Sequence, residues 1–290
     1  MYLFVVNPAS GHGLGHQTWQ FTEKLLRGQE VSHRVIFTTQ GDPVGDRLKR
    51  MLDQLAPKAV VVVGGDGTVN EVGGILAGSS VPLGLIPAGR GNDFALAHRI
   101  PLHPEQALKR ILEDRPVWQD TADLGFRKMI GFMGAGFDAV VADTVNRNRP
   151  NRWLGRLTYG LEAIKALRGF RPHRLELTVD GEKQEHDGVW LVAVTNIPNY
   201  AGGMKICPGA VPDDGKLDIC LVKDLAASRF LRVFPKVYGG KHAGDPSVHF
   251  LRGTDIHIHS EEPVMLHVDG EVVGRVPVRI RVQPKSLMVL

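Results

Sequence analysis

The chain has 290 residues, of which 43% are apolar, and its formal net charge is +4. This length suits two domains, and the apolar fraction is enough for a sizeable buried core. Because the net charge is small, a nucleic-acid or membrane partner can be argued only from where the charges lie along the chain.

The first 120 residues alternate short β-rich runs with segments of helical apolar spacing. We predict strands at 2–7, 32–39, 58–65 and 81–89, with helices between them. The alternation predicts a parallel sheet covered by helices on both faces, which is a Rossmann-like, three-layer α/β domain.

From about residue 120 the pattern changes to strands with alternating apolar residues, such as HRLELTVDG and VPVRIRV. We predict helices near 152–169 and 226–237 among these strands. The second domain is therefore predicted to be mostly antiparallel. We place the domains at 1–121 and 122–290 and expect the last few residues to pack back on the first domain.

Cysteine usage and the N-terminus bear on the cellular setting. Cys207 and Cys220 match no metal-ligand spacing and are too few for a disulfide framework. The N-terminus begins directly with a strand-like run, and no apolar run is long enough to span a bilayer. We expect a cytoplasmic protein and leave open a peripheral association with the inner face of the membrane.

Three glycine-rich turns follow consecutive predicted strands. They are loop 1 (7–15, NPASGHGLG), loop 2 (64–71, GGDGTVNE) and loop 3 (87–95, PAGRGNDFA). Ligands of open parallel sheets bind outside the carboxyl ends of the strands, and glycine lets backbone N–H groups approach phosphate oxygens closely. One such turn is often ordinary loop geometry, but three at neighbouring strand ends predict a nucleotide site.

The type of nucleotide chemistry follows from what these turns contain. The chain has no GxxxxGK[ST] loop, GHGLG departs from GxGxxG, and Thr38 and Thr39 follow the second strand where a NAD site has an acidic residue. These features argue against a dinucleotide oxidoreductase. The carboxylate of Asp66 would repel a polyphosphate unless a divalent cation lies between them or it manages a proton. Asp66 therefore predicts Mg²⁺ and phosphoryl transfer.

The motifs together resemble a known family. GGDGTVNE followed by LGLIPAGRGNDFA resembles the diacylglycerol kinase catalytic domain family of bacterial lipid kinases, which also includes sphingosine and ceramide kinases. MGAGFDA (133–139), NYAGGMKICPGAVPDDGKLDICLV (199–222) and HVDGE (267–271) follow in the family's order, so the resemblance covers nearly the whole chain. It implies a fold like that of NAD kinase and diacylglycerol kinase, with a β-sandwich as the second domain. It also implies ATP- and Mg²⁺-dependent transfer of the γ-phosphoryl group to a lipid hydroxyl, with diacylglycerol giving phosphatidic acid.

The resemblance implies a set of nucleotide-binding residues in the first domain. Two positions depart from the family pattern: His12 stands where Lys or Arg is common, and Arg90 stands where Thr or Ser is common. Arg90 could itself act as a guanidinium clamp on phosphate. The implied set is Asn7, Pro8, Ala9, Ser10, Gly11, Thr38, Gly64, Gly65, Asp66, Gly67, Thr68, Val69, Asn70, Arg90, Asn92 and Asp93.

The resemblance also implies two sites in the second domain. It makes Glu271 the proton acceptor for the lipid hydroxyl, with Asp269 close by, and it counts Asp66 with them as catalytic. It assigns a second Mg²⁺ to Asp214 with the backbone carbonyls of Val211 and Lys216, and oxygen ligands suit this ion. From the residues alone, both the DDG and the HVDGE stretches are ordinary β-turns.

A basic stretch between residues 146 and 174 carries a helical apolar stripe. We interpret its helix, near 152–168, either as lying on an anionic membrane or as packing its stripe into the core with the arginines in solvent. No nucleic-acid-binding motif accompanies it. The expected partner is a lipid at a membrane surface and not a nucleic acid, and a homodimer is left open.

Other functions remain open at this stage. One is a NAD kinase-like or sphingoid-type kinase, and another is a non-catalytic regulator that keeps the nucleotide fold for binding. Asp66 and Glu271 favour an enzyme, whereas His12 and Arg90 favour the regulator.

Overall fold

The structure, a computed structural model, describes residues 1–39, 44–148, 165–167 and 169–290, without the side chains of 145–148. The chain forms two compact units. Unit 1 comprises residues 1–121 and 284–290, and unit 2 comprises residues 122–283. The C-terminal residues thus belong to the unit that the N-terminal part forms.

A parallel sheet lies at the centre of unit 1. Its strands are β1 (Tyr2–Val6), β2 (His33–Phe37), β3 (Ala59–Gly64) and β4 (Leu83–Pro87), in the spatial order β2-β1-β3-β4. Every residue of β1, β3 and β4 is buried, which means that both faces of the sheet are covered. In the register Val6 lies beside Val63 and Gly64 beside Pro87, so the carboxyl ends of these strands lie level.

Helices cover this sheet in two groups. Helix α1 (Leu14–Gly28) packs against α5 (Pro104–Leu112), and α2 (Gly45–Leu55) packs against α3 (Asp66–Leu76). The short helix α4 (Asp93–Ala97) follows loop 3. The apolar face of α1 explains its packing: Trp19 lies on Phe4 of β1 with the ring centroids 5.2 Å apart.

Unit 2 is built mainly from antiparallel strands. The strands that lie wholly or partly in it are β5 (Val117–Asp123), β6 (Lys128–Met129), β7 (Phe132–Gly136), β8 (His173–Val179), β9 (Glu182–Thr195), β10 (Leu217–Lys223), β11 (Val248–Gly253), β12 (Asp255–His259), β13 (Met265–Val268), β14 (Glu271–Arg275) and β15 (Val278–Val289). The long strand β9 pairs with β8 through its first half and with β7 and β10 through its second half. Further antiparallel pairs are β5 with β6, β7 with β13, β13 with β14, β8 with β12, β12 with β15 and β10 with β11. The end of β15 belongs to unit 1, where Val289 pairs in parallel with Leu83 of β4.

Two hydrophobic clusters form the core of unit 2. One consists of the aliphatic side chains that alternate along the strands, such as Val192 and Ile258. The other is rich in aromatic rings and contains Trp190, which stacks on Phe230 of helix α7 (Ala227–Val233) at 4.6 Å. Cys207 lies in this second cluster as a free thiol, and burial raises its pKa to about 12. Cys220 is also a buried free thiol of this cluster, so both cysteines contribute to packing.

The parallel sheet of unit 1 and the antiparallel strands of unit 2 confirm the predicted fold class. The predicted helix near 226–237 is present as α7, followed by a 3₁₀ helix at Phe234–Gly239. A further helix in unit 2, α6 (Phe137–Asn148), begins within the MGAGFDA motif. Most of the predicted basic helix near 152–168 lies outside the described residues.

A buried polar contact ties α6 to strand β13. His267 Nε2 lies 3.0 Å from Asp138 Oδ2, and both side chains are almost completely buried, at 3% and 4% exposed. Gly134 of strand β7, which pairs with β13, lies beside this contact, opposite His267. A Cβ atom at position 134 would lie 1.8 Å from Asp138 Oδ2 and 2.5 Å from His267 Nε2. The contact therefore requires glycine at this position.

We predict that Gly134→Ala destabilises the protein by about 3 kcal/mol, because the methyl group forces the buried Asp138 and His267 side chains apart and leaves each without its partner. Urea unfolding followed by circular dichroism measures the change. Gly209→Ala is the matched control, since a Cβ atom there meets nothing within 4 Å. Equal unfolding midpoints for the two variants would contradict the importance of the contact.

Candidate functional site

The three glycine-rich loops leave the sheet of unit 1 at the same edge. Loop 1 follows β1, loop 2 follows β3 and loop 3 follows β4, and these strands are neighbours with level carboxyl ends. Backbone hydrogen bonds continue the pairing past the strands, from Asn7 N to Val63 O at 2.9 Å and from Ala88 N to Gly64 O at 2.8 Å. The loops therefore start side by side.

Glycine lets the loops touch backbone to backbone. A Cβ atom on Gly65 would lie 2.9 Å from the Cα of Gly89, and one on Gly89 would lie 2.5 Å from the Cα of Gly65. Gly11 has a φ of +55°, and its Cβ would lie 2.5 Å from Ala88 O. Three of the glycines are thus required by contacts between the loops. At Gly67 a Cβ atom would meet nothing within 4 Å, so this position is open to a ligand.

Several predicted ligand side chains also connect the loops. Asn7 donates from Nδ2 to Thr68 Oγ1 at 3.0 Å, and Ser10 donates from Oγ to the carbonyl oxygen of Ala88 at 2.6 Å. Within loop 3, Asn92, in the left-handed region with a φ of +52°, accepts a bond from Gly89 N at 3.0 Å through Oδ1. These side chains fix the shape of the loops, and their predicted contacts with a nucleotide stay a prediction.

Asp66 stands in the first turn of α3. Its Oδ1 accepts a hydrogen bond from the backbone N–H of Phe94 at 3.0 Å, which joins loop 2 to loop 3, and the residue is partly exposed. Nowhere among the described residues do three or more His, Cys, Asp or Glu side chains group to hold a metal ion. Asp66 fits a Mg²⁺ ion that takes its other ligands from phosphate oxygens and water, as this ion commonly does.

The remaining members of the predicted nucleotide set differ in exposure. Val69 is completely buried and Asn70 nearly so, and the Val69 N–H bonds to Gly65 O at 3.1 Å, so a nucleotide contact by either residue stays a prediction. Thr38 follows β2, and its N–H bonds to Val6 O at 2.8 Å, which places it beside the start of loop 1. Four other residues of the predicted set are partly or fully exposed, namely Pro8, Ala9, Gly11 and Gly67. Gly64 and Asp93 are buried.

The two positions that depart from the family pattern are in contact. Arg90 Nη2 lies 3.3 Å from His12 Nδ1 and makes a closer contact with Nε2 of the same ring. Arg90 is the only Lys or Arg in the sequences of the three loops. A neutral imidazole nitrogen can accept a hydrogen bond from a guanidinium group. The contact thus holds the permanent positive charge of loop 3 against loop 1.

The HVDGE stretch in unit 2 forms the turn between β13 and β14. Asp269 and Gly270 have φ values of +51° and +87°, as a two-residue hairpin of this type requires. The Asp269 carboxylate is buried and accepts hydrogen bonds from the backbone N–H groups of Ile130, Gly131 and Phe132 at 2.9 to 3.1 Å. Burial raises the pKa of Asp269, and these three bonds oppose the shift. Its contacts are those of an anchor for the hairpin.

Glu271 differs from Asp269 in every respect. Its side chain is 74% exposed, and its Oε2 accepts a hydrogen bond from Arg127 Nη1 at 2.8 Å. Arg127 lies in the turn between β5 and β6, where no motif marked it, and only the folded structure brings it to Glu271. The catalytic assignments of Glu271 and Asp269 stay predictions, but access to a substrate favours Glu271.

The residues of the predicted second Mg²⁺ site lie in a turn of unit 2, where the Asp214 carboxylate already has two partners. Asp214 accepts a bond from Lys216 N at 3.1 Å through Oδ1, which closes a turn, and its Oδ2 contacts Arg252. Val211 is exposed at the start of this turn. A guanidinium group and a turn amide each contact one Asp214 oxygen, and each oxygen keeps a second lone pair. The metal role of Asp214 therefore stays a prediction, and we derive no step through a metal here.

Three arginines of the basic stretch, at positions 149, 152 and 156, lie outside the described residues, and the membrane interpretation of this stretch stays a prediction. Within the part of the chain that the structure describes, no helix combines the length and the apolar composition needed to cross a bilayer.

Comparisons with known proteins place both parts of the chain. Residues 1–124 match the diacylglycerol kinase catalytic domain, and residues 131–290 match the YegS C-terminal NAD kinase beta sandwich-like domain. The diacylglycerol kinase of Mycobacterium tuberculosis (strain ATCC 25618 / H37Rv) is 33% identical over 298 residues, a match that covers 99% of this chain and 93% of that protein. The diacylglycerol kinase of Bacillus subtilis (strain 168) is 29% identical over 225 residues, covering 75% of this chain and 72% of that protein.

Solved structures agree with these matches. The crystal structure of a diacylglycerol kinase from Bacillus anthracis str. Sterne has a TM-score of 0.77 at 26% identity, covering 99% of this chain and 96% of that one. Yeast NADH kinase complexed with NADH has a TM-score of 0.53 at 11% identity, covering 100% of this chain and 82% of that one, and shows the fold alone. Since both parts of the chain are matched and a relative aligns over nearly its full length, the protein belongs to the family of diacylglycerol kinases and YegS-like lipid kinases.

Proposed function

We propose that the protein is a lipid kinase that transfers the γ-phosphoryl group of ATP, with Mg²⁺, to the hydroxyl of a lipid, with diacylglycerol as substrate and phosphatidic acid as product. The observation that carries the proposal is the meeting of the three loops at one sheet edge with Asp66 beside them. The name of the mycobacterial relative supports diacylglycerol as the acceptor.

The loops supply what a polyphosphate needs. In the first turn of α3, the amides of Thr68 and Val69 bond to Gly65 O at 3.1 Å. The amides of Asp66 and Gly67 come before them at the N-terminus of the helix, where N–H groups point outward and anions are stabilised. Gly67 lies in this first turn and leaves room for a phosphate group. Arg90 adds a positive charge from loop 3. Bound Mg²⁺, held by Asp66 and phosphate oxygens, would neutralise charge that develops on the transferred group.

Glu271 supplies the proton acceptor in this proposal. As the lipid oxygen forms its bond to the γ-phosphorus, the bond from that phosphorus to the bridging oxygen of ADP breaks, and the hydroxyl proton passes to the Glu271 carboxylate. The exposed side chain of Glu271 suits contact with a substrate, whereas the buried Asp269 holds the hairpin in place.

The direct test is a kinase assay with labelled ATP across a panel of lipids, with NAD as a control acceptor. We expect label in diacylglycerol and none in NAD. Label in NAD alone would show that the protein is a NAD kinase and not a lipid kinase. Label in a sphingoid base alone would show that the lipid substrate is a sphingoid base and not diacylglycerol. Binding of ATP with no transfer to any acceptor would favour a regulator.

We predict that Glu271→Gln lowers kcat by a factor of about 10² to 10⁴, because the amide cannot take the proton from the lipid hydroxyl. The affinity for ATP and the melting temperature should stay close to those of the wild type, since the side chain is exposed. Asp66→Asn serves as the comparison from unit 1 and should also lower kcat. Full activity of Glu271→Gln would show that another group takes the proton.

We predict that Arg90→Gln weakens the binding of ATP by about 10- to 100-fold, which corresponds to the loss of a charge-assisted hydrogen bond to phosphate. Binding of adenosine should not change, because it has no phosphate. Arg50→Gln is the matched control, an exposed arginine on α2 of the same unit. Titration calorimetry with both ligands measures the effect, and equal losses for ATP and adenosine would contradict a phosphate contact.

A further inference from the structure

The β5–β6 turn carries a side chain that reaches the candidate proton acceptor. The turn is closed by a bond from Leu124 N to Arg127 O at 3.1 Å and by one from Gly125 N to Asp123 Oδ1 at 2.8 Å. Lys128 Nζ also bonds to Asp123 Oδ2 at 2.9 Å. Arg127 therefore projects from a well-defined backbone.

The segment of chain that contains Arg127 makes a second contact with the hairpin that carries Glu271. Directly after β6, the amides of 130–132 bind the buried carboxylate of Asp269, and Asp269 N bonds back to Phe132 O at 2.8 Å. The backbones at positions 127 and 271 are thus held relative to each other by buried hydrogen bonds. These bonds fix the distance between the two backbones without any help from the Arg127–Glu271 contact.

The two partners of this contact differ in freedom. The Arg127 side chain is 25% exposed, whereas that of Glu271 is 74% exposed. An ion pair with one partner so exposed contributes little to stability. Without Arg127, the Glu271 side chain would sample three staggered wells at each of χ1 and χ2, about nine combinations. The main effect of the contact is therefore on the orientation of the Glu271 carboxylate.

We propose that Arg127 is a positioning residue that holds Glu271 in the orientation in which it receives the proton of the lipid hydroxyl. Nη1 of Arg127 donates a hydrogen bond to Oε2 of Glu271. Oε1 of Glu271 then takes the proton of the lipid hydroxyl as the bond between the lipid oxygen and the γ-phosphorus forms. The guanidinium group neither gains nor loses a proton in this step. The inference rests on the proposed function, because it needs Glu271 as the acceptor.

The size of the effect follows from the rotamers. If Arg127 restricts Glu271 to one of about nine combinations, then removing it lowers the productive fraction by about tenfold at most. A loss larger than this would require a direct action of Arg127 on the substrate.

The first experiment compares Arg127→Gln, Arg127→Lys and the control Arg279→Gln in a steady-state assay with diacylglycerol. Arg279 forms an ion pair of the same kind with Asp255, at 2.8 Å from Nε, elsewhere in unit 2. We expect Arg127→Gln to lower kcat by about tenfold with the KM for ATP unchanged. Arg127→Lys should recover part of this loss, since its ammonium group can still bond to Oε2, and Arg279→Gln should behave as the wild type. A wild-type kcat for Arg127→Gln, or an equal loss in Arg279→Gln, overturns the inference.

The second experiment asks whether Arg127 acts through Glu271. In the Glu271→Gln background, adding Arg127→Gln should cause no further loss of kcat, because no carboxylate remains to be oriented. Losses that multiply in the double variant would show that Arg127 acts independently and would overturn the inference. Equal melting temperatures for the wild type and Arg127→Gln support the positioning role, and a clear decrease in the variant argues for a structural one and against the inference.

The outcomes separate this inference from the proposed function. Activity on diacylglycerol that falls in Glu271→Gln but not in Arg127→Gln overturns the inference and leaves the proposed function intact. A wild-type protein that phosphorylates no lipid of the panel overturns the proposed function, and this inference with it.

Discussion

The close approach of Gly65 to Gly89 determines the geometry of the loops at the sheet edge. The two backbones are so close that a Cβ atom on Gly89 would lie only 2.5 Å from the Cα of Gly65. Ordinary contacts between carbon atoms are about 3.5 to 4.0 Å, so any other residue at either position would push the loops apart. One contact between the loops depends on this approach, because Asp66, which follows Gly65, accepts a hydrogen bond from the amide of Phe94 in loop 3. The site is thus shaped by missing side chains as much as by those present.

The sequence was informative wherever a feature is local. The alternation of strands and helices predicted the parallel sheet, and the glycine turns after its strands predicted three loops at one edge, because strand and turn signals occupy short stretches of chain. The contacts that define the side-chain chemistry are not local. His12 and Arg90 are 78 residues apart, Asp138 and His267 are 129 apart, and Arg127 and Glu271 are 144 apart. No periodicity reports such pairs, since each depends on how the elements pack.

Asp-Gly in HVDGE had two competing interpretations, a hairpin turn or a catalytic motif. The structure shows the hairpin turn, and this turn is compatible with the proposed catalytic role of the residue that follows it. The positive φ values of Asp269 and Gly270 make the tight turn. The carboxylate of Asp269 turns inward and binds three amides, which fixes the hairpin on the segment 130–132. The residue that follows the turn, Glu271, is then held at the surface in a defined place. The turn geometry is therefore the means by which Glu271 is presented.

The two carboxylates of this hairpin differ in burial, and burial decides which of them a substrate could reach. Asp269 is enclosed and its oxygens are occupied by backbone donors, so exchange of a proton with a substrate would first require breaking these bonds. The side chain of Glu271 lies mostly in solvent, and its ionic partner Arg127 contacts Oε2. A proton acceptor needs both an accessible oxygen and a restricted orientation. Of the two, only Glu271 combines them, and the restriction comes from Arg127, a residue that belongs to no motif.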